Sequence, residues 1–417
     1  MMRARGLTLL PLLLAFFSAG CGERSTSNTV PKNASAPPPA AVVEPERNPE
    51  PDPRVITWET YHGGASLAGY VELSLPEALS LAWKADVGNR IMNTPVSDGR
   101  RVYVADTKGT LHAYDMHGQL VWTKTFYEPA KPGRDPRPVG FDAPIALFDS
   151  TLLACTSTGI VYALDSHTGE VRWTCDTEWP ILGTPNVATV NVDGKPSKRV
   201  YVIDEMAGGL QCIDFASGEK IWSGESVDRC DGSPAVSDTY VVYGSCACAI
   251  HVFSSETGKM IREIPLDDES QIAGGVALLG DSIFTGSRSG MFVHANASTG
   301  QTVWTNSDCA GESYATPAVS DNRVVFTASD SLVYCLDRGT GSLVWKKPLD
   351  GIPGSPIIAG EAVVVTSSGE LYLMRLTDGE ILWRYIVSDE ITSPAITGTL
   401  ILVGGDDGML TAFSHRE

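Results

Sequence analysis

The chain has 417 residues and a formal net charge of −19 at pH 7, from 50 acidic and 31 basic side chains. This surplus of carboxylates argues against a nucleic-acid partner, because phosphate binding needs clustered lysine and arginine side chains. It suits a protein partner with a basic surface, divalent cations, or simple solubility. A hydrophobic content of 43% is enough for one large folded domain with its own core.

Residues 1–21 predict an export signal. Two arginines precede an apolar run over 7–17, which is too short to span a bilayer and is typical of a signal peptide. Small residues then precede Cys21, an arrangement that resembles a bacterial lipobox, although Ser18 stands where leucine is usual. We expect cleavage before Cys21 and lipidation of its side chain. The alternative is an ordinary cleaved signal in which Cys21 has no role.

Two further segments precede the main domain. Residues 22–53 hold eight prolines among Ser, Asn and Glu residues, a composition that cannot bury enough apolar surface to fold. We expect this segment to act as a disordered tether. Residues 54–79 contain Trp58 and a Tyr-His-Gly-Gly stretch, and we expect this leader to pack on the side of the domain that follows.

Residues 80–417 repeat one spacing, which is the mark of a repeat architecture. A small or apolar residue is followed about six positions later by Gly, and about ten positions later by Trp or, once, by Arg262. The tryptophans of this spacing, with one more near the start of the domain, are Trp83, Trp122, Trp173, Trp222, Trp304, Trp345 and Trp383. At the start of each unit, upstream of this spacing, a Pro or Gly opens an apolar run. These eight openings are Pro95, Pro144, Pro185, Pro234, Gly275, Pro317, Pro356 and Pro394.

Eight openings predict eight blades of about 42 residues each, a normal length for a β-propeller of four-stranded antiparallel blades. A tryptophan on each outer strand is a large flat surface suited to docking one blade on the next. The eighth unit ends at Glu417 before any Trp, while the run around Trp83 stands ahead of the first opening. We therefore predict that an N-terminal strand around Trp83 completes the last blade and closes the ring, which removes an exposed sheet edge.

The Ala-x-Asp-x-x-Thr-Gly-x-x-x-Trp spacing resembles the repeat of the pyrroloquinoline-quinone (PQQ)-like eight-bladed propellers, and the resemblance covers residues 80–417. With a lipidated Cys21 and a tether, the chain is similar to the propeller lipoproteins of the outer-membrane β-barrel assembly machinery. That resemblance implies an exported, lipid-anchored, non-catalytic scaffold that binds a protein partner on the periplasmic face of a membrane. Gly22 lacks the Asp that signals inner-membrane retention, which favours the outer membrane.

The PQQ-like resemblance also implies two alternatives: a PQQ- or metal-dependent oxidoreductase, and a ligand-sensing propeller whose central channel binds a small molecule. The dehydrogenases of this family enclose the quinone with long inserted loops, a calcium site and adjacent cysteines. Blades of about 42 residues leave little chain for such a pocket. We can map no catalytic residue onto this sequence, and we expect no metal site and no cofactor.

Three cysteines near the fourth opening are candidates for a disulfide, because export permits such bonds. Cys230 precedes Pro234, and Cys246 and Cys248 fall in a hairpin of the same blade, which propeller connectivity places on the same face. We expect Cys230 to pair with Cys246 or Cys248; free thiols and a metal site are the alternatives.

Acidic residues recur in the loops that enter successive blades, and all of these loops should lie on one face. The residues that we select are Asp228, Asp231, Asp267, Asp268, Glu269, Glu312, Asp389 and Glu390. They predict an electronegative docking face that steers a basic partner and weakens with salt. The alternative is that an acidic protein simply has acidic loops.

Overall fold

The structure, a computed structural model, describes residues 56–127, 135–267 and 269–415. Within these ranges the chain is all β, with 33 strands and no helix. The strands form eight antiparallel four-stranded sheets, and one of the eight gains a fifth, parallel strand. The predicted eight-bladed propeller is therefore confirmed.

Each blade runs from an innermost strand to an outer strand. The innermost strands are β3 Val96–Ser97, β7 Ala146–Phe148, β11 Asn186–Val192, β15 Ala235–Val236, β19 Ala277–Leu279, β23 Ala318–Val319, β27 Ile357–Ala359 and β31 Ala395–Thr397. The second strands are β4 Arg101–Ala105, β8 Thr151–Cys155, β12 Lys195–Ile203, β16 Tyr240–Gly244, β20 Ser282–Gly286, β24 Arg323–Thr327, β28 Ala362–Ser367 and β32 Leu400–Gly404.

The third strands are β5 Thr110–Asp115, β9 Ile160–Asp165, β13 Leu210–Asp214, β17 Ala249–Ser254, β21 Phe292–Asn296, β25 Leu332–Asp337, β29 Glu370–Arg375 and β33 Met409–Ser414. The outer strands are β6 Leu120–Thr125, β10 Val171–Asp176, β14 Lys220–Ser223, β18 Met260–Pro265, β22 Thr302–Asn306, β26 Leu343–Pro348, β30 Ile381–Ile386 and, for the eighth blade, β2 Ser80–Asp86. The remaining strand, β1 Tyr70–Val71, belongs to the leader.

The middle strands are buried on both faces because every blade lies between two neighbours. In β28 the three consecutive valines Val363, Val364 and Val365 are all fully buried. Tyr103 of the first blade and Leu152 of the second belong to one apolar cluster, so the core is distributed between blades rather than inside any one of them. In the sequence, such strands are continuous runs of apolar residues, without the alternation of apolar and polar residues that a half-exposed strand shows.

Ring closure follows the predicted scheme. β2 pairs antiparallel with β33, with Trp83 opposite Ala412 and Ala85 opposite Leu410. The first strand of the domain thus supplies the outer strand of the last blade, and the prediction is confirmed.

The tryptophans join each blade to the next. The indole Nε1 of Trp304 donates a hydrogen bond to the carbonyl of Arg338 in the next blade at 2.9 Å, and Trp345 does the same to Leu376 at 2.8 Å. The other bonds of this type are Trp83 to Met116, Trp122 to Ser166, Trp173 to Phe215 and Trp222 to Glu256, at 2.9 to 3.0 Å. Arg262, which replaces Trp in the fourth blade, donates through Nη2 to Ser298 at 3.2 Å. Trp383 instead packs edge-on against Phe413 of the last blade.

The leader lies in the middle of the ring rather than on its side, where we expected it. Backbone N–H groups of innermost strands donate to leader carbonyls around the ring: Ser97 to Trp58, Leu147 to Glu59, Val236 to Ala65, Leu278 to Ser66, Val319 to Ala68 and Ile358 to Gly69. Asn186 Nδ2 in the third blade and Gly398 N in the eighth donate to Ala65 and Ile56. In the eighth blade Thr397 Oγ1 also donates to Ile56 O, at 3.0 Å. A segment that bonds to all eight innermost strands must occupy the axial channel.

Candidate protein-docking face

Two sets of loops form one face of the ring, which we call the loop face. The first set enters the blades, between each outer strand and the next innermost strand, and the second is the hairpins between second and third strands. Their backbones are joined: Glu205 N donates to Pro180 O at 3.0 Å, and Cys246 N donates to Arg229 O at 2.9 Å. The same link recurs from Arg288 N to Gln271 O, at 2.9 Å. The loop face is therefore a continuous, hydrogen-bonded surface.

The structure brings the predicted acidic residues together on the loop face, in the loops that enter the blades. Asp231 and Glu312 are half-buried. The others are exposed: Asp228, Asp267, Glu269, Asp389 and Glu390. Asp268 lies outside the described residues.

Three arginines on the loop face, which we did not select from the sequence, pair with these carboxylates. Arg229 lies 2.8 Å from Asp231 and 3.0 Å from Glu205. The other two pairs are Arg288 with Glu312 at 3.1 Å and Arg90 with Glu390 at 2.8 Å. The loop face therefore carries three arginines among its carboxylates, and its electronegative character stays a prediction. One sign of such pairing was present in the sequence, because Arg229 stands two residues before Asp231.

Large apolar side chains are exposed on the same face. Trp179 is 52% exposed and Tyr314 46%, both in loops that enter blades. Met206, in a hairpin next to the Arg229 pairs, is 59% exposed. The guanidinium of Arg288 lies over the ring of Tyr314, 5.7 Å from its centroid. Aromatic, methionine and arginine side chains together are typical of protein interfaces.

A groove of about 330 Å³ opens on another sector of the loop face, between the seventh, eighth and first blades. Ile352 and Met92 line it and are 61% and 54% exposed. Pro353 and Ile391 complete the apolar wall, and Asp406 and Glu390 lie at the polar side. The groove extends the apolar surface toward the eighth blade, where β2 closes the ring.

The three candidate cysteines lie close together on this face as free thiols. Cys230 is buried, and its Sγ donates to the carbonyl of Gly244 at 3.1 Å. Burial raises the pKa of its thiol to about 12, so it stays protonated and unreactive. Cys246 and Cys248 are half-buried, and all eight cysteines in the described ranges are unbonded. The predicted disulfide is not formed here, and it stays a prediction for the oxidised protein, checked by mapping unreduced peptides.

Within the described ranges no three His, Cys, Asp or Glu side chains are grouped to hold a metal ion. The leader lies in the axial channel, where His62 is buried and Tyr61 is half-buried. A small ligand in the channel would meet these side chains.

Comparison with known proteins decides the family. A profile of the family described as outer membrane protein assembly factor BamB matches residues 76–137, 108–273 and 249–417. The chain belongs to the BamB family. BamB of Burkholderia pseudomallei is 23% identical over 338 residues, which cover 78% of this chain and 83% of that protein. BamB of Shewanella oneidensis is 23% identical over 365 residues, covering 79% and 87%.

Solved structures share the fold of this BamB-family propeller. The crystal structure of BamB from Moraxella catarrhalis matches with a TM-score of 0.65 at 18% identity, covering 81% of this chain and all of that one. A quinohemoprotein alcohol dehydrogenase from Comamonas testosteroni matches with a TM-score of 0.68 at 14% identity, covering 86% and 80%. At these identities the likeness extends to the fold alone.

The described ranges of the BamB-family chain contain no helix with the length and apolar character needed to span a membrane. Cys21 lies outside the described residues, so its lipidation stays a prediction.

Proposed function

We propose that this chain is a non-catalytic propeller scaffold that serves outer-membrane protein assembly by docking a protein partner on its loop face. Its relatives are named as outer membrane protein assembly factors, which supports the role. The observation that carries the proposal is the combination of exposed apolar side chains and paired charges on one face. We further propose that Cys21 bears a lipid that anchors the chain to the outer membrane from the periplasmic side.

The sector around Arg229 is the best candidate for the centre of the interface. Trp179, Met206 and Tyr314 offer apolar surface that a partner would remove from water, at about 25 cal/mol per Å². Arg229 and Arg288 are held in place by carboxylates, so they lose little side-chain freedom on binding. Large anchors and pre-ordered arginines are the features of binding hot spots.

Capture from detergent-solubilised membranes tests the docking proposal. The face variant combines Trp179→Ser, Met206→Ser and Tyr314→Ser. The control variant changes equally exposed apolar residues on the outer strands, Val303→Ser and Ile381→Ser. We expect the wild type and the control to recover an outer-membrane assembly partner, and the face variant to recover about tenfold less or none. Equal recovery by both variants, or a wild type that stays alone under mild crosslinking, would contradict the proposal.

Fractionation tests the anchor separately. Cys21→Ser removes the thiol that would carry the lipid but leaves the propeller unchanged. We expect the protein to move from the membrane fraction to the soluble periplasmic fraction, because the attached acyl chains would supply the affinity for the bilayer. A Cys21→Ser protein that stays with the membranes would show that another contact retains it.

A further inference from the structure

The contacts between the leader and the ring resemble those between a peptide ligand and its binding site. In seven blades a ring N–H is the donor and a leader carbonyl is the acceptor, with N···O distances of 2.7 to 3.0 Å. In the third blade the amide of Asn186 makes the corresponding bond, at 2.8 Å. These bonds use only backbone oxygens of the leader, which every polypeptide has.

Side chains of the leader add sequence selectivity. The Tyr61 hydroxyl makes a hydrogen bond with Thr316 Oγ1. His62 reaches two carbonyl oxygens, with Nδ1 2.8 Å from Leu67 O in the leader and Nε2 2.9 Å from Pro356 O in the seventh blade. Trp58 and Leu67 are almost completely buried. The leader is therefore recognised by shape and by side-chain polar groups, as well as by its backbone.

Glycines let the leader fold tightly enough to fit. Gly69 has a φ of 57°, and a Cβ at this position would lie 2.2 Å from the His62 imidazole. Any larger residue must therefore displace the ring of His62 from its two carbonyl partners.

The ring is complete without the leader. Each blade has its own four strands, and β2 closes the circle on β33 by antiparallel pairing. β1 adds to the inner edge of β27 as an extra, parallel strand. The link from the leader to β2 includes Glu77 and Ala78, which are exposed. Nothing in the sheet ladders requires the leader to be covalently joined to the ring.

We propose that the axial channel is a polypeptide-binding site, filled in this chain by its own leader, and that the leader exchanges with a peptide of the same sequence. The ligand class is a turned segment with a Trp, a Tyr-His pair and glycines. The inference is independent of the docking partner.

The test uses the full chain with a protease site inserted between Glu77 and Ala78, cut after purification. Size-exclusion chromatography with intact mass should find the cut leader still bound to the ring. An excess of fluorescent peptide covering residues 54–73 should then replace it. A peptide with Gly69→Ala should compete at least about tenfold less well, because overpacking strains the His62 site. A peptide with Ser66→Ala, which keeps the backbone bond to Leu278, should compete like the native one.

Several results would overturn the proposal: loss of the leader directly after cutting, unfolding of the cut ring, no exchange with the native peptide, or equal competition by the two altered peptides. A second measurement avoids cutting. In the intact chain, amide hydrogen exchange at Val236, Leu278 and Val319 should be at least about tenfold faster in Gly69→Ala than in Ser66→Ala. Equal exchange rates in these two variants would count against a selective channel site.

Discussion

At the scale of residues, Trp304 and Gly341 show how one blade is fastened to the next. Gly341 ends a turn in which Asp337 Oδ1 accepts hydrogen bonds from Gly339 N and Thr340 N, at 3.1 and 3.0 Å. The positive φ of Gly341, 72°, closes this turn. The indole of Trp304 from the preceding blade then covers the glycine, so the position needs Gly both for its backbone and for its missing side chain.

Gly341→Ala should destabilise the fold by about 2–4 kcal/mol, from the left-handed backbone and from overpacking. A Cβ at Gly341 would lie 2.5 Å from Trp304 Cε3. The matched control is Gly339→Ala in the same turn, where the nearest atom is the Asp337 carboxylate at 3.5 Å. It should change the free energy of unfolding by less than about 1 kcal/mol. Urea denaturation measures both, and equal losses would show that the Trp304 contact is not the cause.

A second residue-scale prediction concerns acid. Burial lowers the pKa of His294 to about 4, and the nearby Arg338 guanidinium adds to the effect. Its ring stacks on Phe284, with centroids 4.3 Å apart, and its Nδ1 has no hydrogen-bond partner among the described residues.

In the unfolded chain a histidine has a pKa of about 6.5. Between pH 6.5 and 4 the unfolded state therefore binds a proton that the folded state does not, and stability falls as the pH falls. His294→Phe keeps an aromatic ring against Phe284 but cannot titrate. Its free energy of unfolding, relative to wild type, should rise steadily from pH 7 to pH 4 in denaturant titrations. A constant difference across that range would contradict the assignment.

At the scale of elements, the sequence was sufficient to predict the blades and the closure of the ring, but not the position of the leader. Seven repeats carry their own Gly and outer-strand Trp or Arg, and eight Pro or Gly residues open an apolar run, so the units could be recognised independently. The truncated last unit and the early Trp83 then implied the pairing of β2 with β33. The leader occurs once and binds mainly through backbone oxygens, which leave no pattern in the sequence. Trp58 and the Tyr-His-Gly-Gly stretch were its visible signs.

Closure by β2 makes one strand critical for the whole ring. Ala85→Glu places a carboxylate at a position that is 6% exposed between β33 and the core, and should cost on the order of 3 kcal/mol. Ala82→Glu, three residues earlier on the same strand, is exposed and should be nearly neutral. Urea midpoints and size-exclusion profiles distinguish the two, because an opened ring exposes the edge of β33. Similar stability of both variants would mean that β2 is dispensable.

At the scale of the whole molecule, charges from different loops meet on the docking face. The acidic residues of the entering loops predict an electronegative face, and three arginines place positive charge among them. The contribution of Arg229, Arg288 and Arg90 depends on which loops the ring brings together, because Arg229 pairs with Glu205 from a different blade. Pairing across blades cannot be predicted from spacing within one repeat. The exposed Trp179 and Met206 were missed for the same reason, since exposure in a loop is set by its neighbours.

Variants of two arginines on opposite faces distinguish docking through the loop face from a general effect of charge. Arg229 pairs with two carboxylates on the loop face, and Arg375 contacts Asp378 and Glu380 in a turn on the other face. Both are surface pairs, so replacing either arginine by alanine should change the free energy of unfolding by about 1 kcal/mol or less. Arg229→Ala should nevertheless weaken capture of the partner at least about tenfold, because an ordered arginine in an interface is enclosed by the partner and leaves its carboxylates unpaired when removed.

Quantitative pull-down at about 50 and 500 mM salt completes this comparison. The wild type and Arg375→Ala should lose binding in parallel as salt rises, whereas Arg229→Ala should start lower and respond less, because part of the charged contact is already absent. If Arg375→Ala weakened capture as much as Arg229→Ala, the partner would be sensing overall charge and not the loop face. The difference between these two variants therefore decides whether the propeller docks through one face.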